Sequence, residues 1–317
     1  MAMGNSPAVV LPKRIVIVSR ESALAMWQAR HIQSRLAGLY PKIPVSIIGV
    51  TTEGDRILGT SLAKIGGKGL FVKELENALA EGRADVAVHS MKDVPMQLPP
   101  GFTLAAITDR ADPRDAFVSN RYASLGGVPA GGRIGTSSLR RESQLRARYP
   151  RLAVGALRGN VSTRIRKLDE GRYDAIILAA AGLKRLGLEE RITALLTPEE
   201  SVPAVGQGAL GVECRAERDE LLRLFAPLNH HATASCVRAE RALSRALAGS
   251  CNVPLGGFAE LNGERLHLRG FVGSPDGKHS TRAELDGPVS EPEALGAALA
   301  DKLRARGAAE ILARLQT

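Results

Sequence analysis

Residues 81–90 read EGRADVAVHS, and residues 170–179 read EGRYDAIILA. In both, Glu-Gly-Arg-x-Asp opens an apolar run about as long as one buried strand. A looser echo comes in the same order. RIVIVSRESALA (14–25) and RIGTSSLRRESQL (133–145) each pass from a strand-like run through hydroxyl residues into a helix. One echo is within the reach of chance; two in the same order predict two related α/β lobes.

The surrounding sequence agrees. RIVIVSR (14–20) leads into the amphipathic SALAMWQARHIQSRL (22–36), and PVSIIGVTT (44–52) reads as the next strand. LFVKELENALAEG (70–82) has helical spacing ahead of the buried strand ADVAVHS (84–90). Alternation of this kind predicts a parallel α/β sheet. Ligands of open α/β sheets settle at the carboxyl ends of strands, and paired lobes make a cleft there. Beyond residue 230 the pattern changes. SCVRAERALSRAL (235–247) is a helix, and FAELNGERLHLRGFVGSPDGKHSTRAEL (258–285) reads as three strands with turns at Asn262-Gly263 and Pro275-Asp276-Gly277. A last helix is expected over 292–315, which makes a small α+β domain on a three-stranded antiparallel sheet.

At 317 residues the chain exceeds one ordinary core, so two or three domains are expected. No apolar run is long enough to span a bilayer, and the start, MAMGNSPAVVLPKR, lacks the pattern of a signal peptide. Three cysteines are too few and too odd for a disulfide framework, which points to a reducing cytoplasm. The spacing of Cys214, Cys236 and Cys251 matches no metal site. The net charge of +10 is concentrated: residues 133–172 hold eleven Arg or Lys, ten of them Arg, against Glu142, Asp169 and Glu170. Arginine's fork suits carboxylate or phosphate recognition, with a solvated helix face as the plainer reading. No aromatics are interleaved for base stacking, which argues against nucleic acid.

Several stretches carry candidate chemistry. HSMKDVP (89–95) ends a strand inside the expected cleft, so Lys92 and Asp93 read either as a functional pair or as a solvated ion pair before a proline turn. GTSSLRR (135–141) places Thr136, Ser137 and Ser138 before a helix, with Arg140 and Arg141 in its first turn. Cations there oppose the helix dipole, which favours a bound anion as the explanation. RGNVSTR (158–164) repeats the arrangement with Arg158 and Arg164, and SRES (19–22) offers Arg20 and Ser22 in the other lobe. Arg185 in AGLKRL is a further candidate for the same wall. EGDRILGTSLAKIGGKG (53–69) reads as a lid or as an ordinary flexible loop, without a complete phosphate loop. Gln207 sits between glycines in VPAVGQGALGVECR (202–215), whose Cys214 reads as core, as does Cys236 at the start of a helix. GSCNVPLGG (249–257) surrounds Cys251 with small residues and suits an accessible thiol, although spacing alone leaves it a bystander as readily as a nucleophile.

Taken together, SRESALAMWQA, TTEGDRI, GGKGLFVKELE, HSMKDVP, GTSSLRR, RGNVSTR, VPAVGQGALGVECR and GSCNVPLGG, in that order, resemble the porphobilinogen deaminase family from about Arg14 to the final helix. Asn252 and Ser250 depart from frequent family choices beside the cysteine, and neither supplies the attachment atom. The resemblance implies two periplasmic-binding-protein-like α/β lobes plus a small C-terminal α+β domain. Its expected boundaries are residues 12–108 plus 209–226 for the first lobe, 109–208 for the second and 227–317 for the third domain. It further implies a transferase that joins four porphobilinogens head to tail, releasing ammonia each time, on a dipyrromethane primer bound covalently through Cys251 by a thioether. Water then frees hydroxymethylbilane. Asp93 matches the catalytic aspartate, facing the positive charge that develops near pyrrole nitrogens when ammonia leaves. Arg20, Lys92, Arg140, Arg141, Arg158, Arg164 and Arg185 match positions that bind cofactor or chain carboxylates. Ser22, Thr136, Ser137, Ser138 and Gln207 lie in the same stretches, and Lys68 and Phe71 at the lid's end face the incoming ring. The implied protein is a cytoplasmic monomer with no metal, nucleic-acid or membrane partner, whose lobes pivot near 109–113 and 203–208. The competing reading is a two-lobed binding module for an anionic small molecule.

Overall fold

The computed structural model describes residues 12–52, 72–247 and 253–315. The first sheet holds β1 (Ile15–Arg20), β2 (Val45–Val50), β3 (Val86–Ser90), β4 (Phe102–Ile107) and, from much later in the chain, β10 (Leu210–Arg215), in the order β2-β1-β3-β10-β4. The second holds β5 (Asp115–Val118), β6 (Arg133–Gly135), β7 (Ala153–Gly155), β8 (Ala175–Ala179) and β9 (Ala194–Leu196), in the order β7-β6-β8-β5-β9. The two orders superimpose strand for strand. The EGRADVAVHS and EGRYDAIILA echoes end in β3 and β8, which occupy the same place in their sheets.

One expectation needs correcting. Each sheet is mixed rather than parallel: β10 runs antiparallel to β3 and β4, and β5 runs antiparallel to β8 and β9. The reversed strand is in each case the one that arrives from the other lobe. The chain leaves the first lobe after β4, builds the second, and returns as β10, so two crossings join the lobes.

Helices cover the sheets where the sequence supplies caps and apolar stripes. In the first lobe these are α1 (Ala23–Leu39) and α2 (Lys73–Ala80); in the second, α3 (Leu139–Arg148), α4 (Val161–Asp169) and α5 (Ala180–Arg185). Ser22, Ser138 and Asn160 cap α1, α3 and α4 by accepting N–H bonds from Ala25, Arg141 and Thr163. Ile32 and Leu36 of α1 pack on Ile15, Ile17, Val86 and Val212, all fully or nearly fully buried. Each such side chain contributes about 1.5–3 kcal/mol by leaving water. A short helix, α6 (Asp219–Phe225), closes that core with Phe225.

The third domain is the antiparallel sheet β11 (Leu255–Asn262), β12 (Arg265–Gly273) and β13 (Ser280–Pro288), backed by α7 (His231–Ala246) and α8 (Pro292–Leu303). The expected final helix is broken. Arg306 and Gly307 leave helical geometry, and α9 (Ala309–Ala313) restarts beyond them. Cys214 and Cys236 are buried, and burial pushes both thiols up to about 11. Their reading as core residues stands.

Candidate active site between the lobes

The parallel strands of both lobes bring the candidate residues to their carboxyl ends. Arg20 is the last residue of β1, and Ser22 caps the helix after it. On the neighbouring strand, β3 ends at Ser90 and passes into a single 3-10 turn, Met91–Asp93. Gln28 Nε2 donates to Ser90 Oγ at 2.7 Å, and the fully buried Met91 donates its N–H to Ala209 O at 3.0 Å. The turn is thus anchored on both sides, with Lys92 and Asp93 half-buried. In the second lobe Thr136–Ser138 follow β6, Arg158 follows β7 and Arg185 ends α5 after β8.

The second crossing fits closely against that turn. Gly206 has φ +72°, and a Cβ there would lie 2.8 Å from Met91 Cβ; Gly208 has φ +93°, and its Cβ would lie 2.5 Å from Ala111 O. Only glycine meets both demands. Between them, Gln207 donates to Pro113 O at 2.6 Å and to Asp115 Oδ1 at 2.9 Å, tying one crossing to the other.

The two arginines that open α3 have an anion within the chain. Asp115, fully buried at the start of β5, receives Arg140 Nη1 and Nη2 at 2.8 and 3.1 Å, and Arg141 Nε and Nη2 at 2.9 and 2.8 Å. Burial alone would raise its carboxyl; the two guanidiniums outweigh that and hold it far below the usual carboxylate range. Arg140 also donates to Val202 O at 2.7 Å, and Arg141 to Ile177 O at 3.0 Å. This corrects the argument from the helix dipole: the costly cations are compensated by Asp115, and a ligand is not needed to explain them. Asp115 was not singled out in the sequence, where nothing local ties it to Arg140 and Arg141, 25 and 26 residues away.

The hydroxyls have local duties too. Ser137 Oγ donates to Leu157 O at 2.8 Å, and Thr136 Oγ1 accepts the Ser138 N–H at 3.2 Å. Arg185 bridges the lobes, donating to Gly208 O at 2.7 Å with its guanidinium carbon 5.7 Å from the centre of the Trp27 ring.

Asp93 interacts electrostatically with two cations, Lys92 and Arg164. Burial brings Lys92 down to about 8; Asp93 and Asp115 oppose this, while Arg141 and Arg140 add to it. Burial, then Arg141 and Arg158, bring Arg164 down to about 10 against the pull of Asp93. Burial lowers Arg185 to about 10 as well. Burial outweighs the carboxylates that act on them, Asp93 and Asp115 for Lys92, Asp93 for Arg164 and Asp109 for Arg185, and a ligand with several carboxylates would add counter-charge. The residues present therefore fit a dipyrromethane bearing acetate and propionate arms. Cys251, Lys68 and Phe71, with the expected lid, lie outside the described residues. Among the described residues no group of three or more His, Cys, Asp or Glu is disposed to hold a metal ion, and no helix is long and apolar enough to cross a membrane.

Comparison with known proteins gives a consistent picture. The family model of the porphobilinogen deaminase dipyromethane cofactor binding domain matches residues 15–223, and that of the porphobilinogen deaminase C-terminal domain matches residues 234–305. Porphobilinogen deaminase of Methylobacillus flagellatus is 66% identical, over 96% of this chain and 98% of that protein. Porphobilinogen deaminase of Nitrosomonas europaea is 64% identical, over 96% of this chain and 99% of that protein. Among solved structures, a periplasmic substrate-binding protein of an ABC transporter from Coxiella burnetii overlaps 70% of this chain and 94% of its own, at 14% identity and a TM-score of 0.44.

Proposed function

This chain belongs to the porphobilinogen deaminase family, and from that premise we propose how its residues divide the work. It is a transferase of tetrapyrrole biosynthesis, joining four porphobilinogens with loss of ammonia on a dipyrromethane cofactor and releasing hydroxymethylbilane by hydrolysis. The family match displaces the binding-module reading. When bound, the dipyrromethane supplies the free α-carbon on which the chain grows. In our reading, Cys251 holds it through a thioether, which survives every cycle where an ester would not.

Asp93 is the catalytic residue. Its carboxylate stabilises the positive charge that appears near the pyrrole nitrogens when ammonia departs, and it exchanges the proton that must move there. Lys92, Arg158 and Arg164 take the acetate and propionate groups of cofactor and chain, with Arg20 and Arg185 further along the cleft. Arg141 contributes field from behind, with Arg140 fixed to Asp115. Ser22, Thr136, Ser137, Ser138 and Gln207 shape the walls, and Lys68 and Phe71 meet the incoming ring. The observation that carries this reading is the gathering of depressed cations around one half-buried carboxylate, Asp93.

We assign residues 12–108 with 209–226 to the first lobe, 109–208 to the second and 227–317 to the third domain. The protein works as a cytoplasmic monomer, without nucleic acid. The test is Asp93→Asn: intact mass should show the cofactor still loaded while porphobilinogen consumption falls at least a hundredfold, on the order of the loss of a general acid–base group. Near-parental turnover would remove Asp93 from the reaction.

A further inference from the structure

Arg241, in the middle of α7, is only 7% exposed. Its partners among the described residues are three successive backbone carbonyls and no carboxylate. Nη1 donates to Val94 O at 3.4 Å, and Nη2 donates to Pro95 O at 2.6 Å and to Met96 O at 3.1 Å. Burying a guanidinium without a counter-charge is costly, and an apolar side chain would fill the same space more cheaply. Burial, with Arg245 adding to it, brings this group down to about 10.

The three carbonyls belong to the residues immediately after Asp93. The Val94 N–H closes the Met91–Asp93 turn onto Met91 O at 3.3 Å, and Val94 is fully buried against Met91 and Val237 of α7. The upstream end of the turn is held by β10 pairing and by Ala209. The downstream end is held from the third domain, by Arg241.

We propose that Arg241 is a positioning residue: by gripping the 94–96 backbone it fixes the Asp93 carboxylate relative to the third domain. The inference rests on the role given to Asp93 above. Neighbouring residues of one helix then perform related tasks: the Glu240 carboxylate accepts from Arg110 in the first crossing and from Gly206 N–H in the second, and Arg241 grips the turn that carries Asp93. A planar fork spans adjacent carbonyls, where a lysine's single ammonium cannot.

The test compares the cofactor-loaded parent with Arg241→Met and Arg241→Lys, and repeats Arg241→Met in the Asp93→Asn background. Cofactor load is read by intact mass, melting temperature by calorimetry, and rates per loaded enzyme well below that temperature. A displacement of about 1 Å costs on the order of a hundredfold. The expected result for Arg241→Met is a kcat lower by about that factor with KM within about twofold. Arg241→Lys should recover only part of the loss. In the Asp93→Asn background the same change should cost less than about twofold, because the group it positions is already gone. Parental kcat in Arg241→Met, or in Arg241→Lys where Arg241→Met does not fold, overturns the proposal, as does a full penalty in the Asp93→Asn background. A loaded parent that consumes no porphobilinogen would instead overturn the function on which the proposal rests.

Discussion

Arg110 and Glu240 meet fork to fork in the interior, Nη1 to Oε1 at 2.7 Å and Nη2 to Oε2 at 2.9 Å, with the Glu240 side chain wholly buried. Arg110 belongs to the first crossing between the lobes. The same carboxylate accepts the N–H of Gly206 in the second crossing at 2.7 Å and that of Ala259 in β11 at 2.8 Å. One side chain of the third domain therefore fastens both crossings and its own sheet.

Removing one partner of a buried pair strands the other, at about 3–5 kcal/mol. Arg110→Met should lower stability by about that much in chemical denaturation, read as a shifted midpoint at constant slope. Adding Glu240→Gln should recover part of the loss, since the amide carries no stranded charge. Parental stability in Arg110→Met would show that the pair does not hold the junction.

Arg140 and Arg164 differ in their surroundings. Arg140 is committed to Asp115 and Val202, whereas Arg164 is crowded by other cations. Arg140→Leu should cost stability on the scale of a buried pair. Arg164→Leu should leave the melting temperature level or higher and stop chain growth, seen by mass as enzyme carrying fewer added pyrroles. The reverse pattern would mean that the two assignments are exchanged.

Lys92 gives a signed pH prediction for the cofactor-free protein, obtained as Cys251→Ser. Its folded pKa of about 8 lies below its ordinary 10.5. Between those values the unfolded chain binds more protons, so this group makes stability rise with pH. The penalty of a charged, half-buried Lys92 is fully present below about 8 and gone above about 10.5. Lys92→Met should therefore raise the melting temperature at pH 7, with the gap closing through that window. A gap that is constant with pH would mean that Lys92 is not depressed.

Much of this architecture was legible because strands in equivalent places kept equivalent openings: Glu81-Gly82-Arg83 before β3 and Glu170-Gly171-Arg172 before β8. The reversal of β5 and β10 was not legible, since an apolar run does not encode its direction in a sheet. The Met91–Asp93 turn could be picked out as a candidate from HSMKDVP because a strand end followed by Lys-Asp-Val-Pro is a local pattern. Its supports could not. Asp115 lies 25 residues from Arg140, and Glu240 lies 130 residues from Arg110. Within SCVRAERALSRAL the buried Glu240 and Arg241 look like the solvated face of an amphipathic helix. Only the docking of the third domain turns them inward.

The central claim is a permanent primer on Cys251, and intact mass of the freshly purified protein tests it most directly. The account predicts an excess of one dipyrromethane over the sequence mass, absent in Cys251→Ser and persisting after porphobilinogen has been consumed and product released. A fully active parent at its bare sequence mass, or a Cys251→Ser protein carrying the same excess, would contradict it.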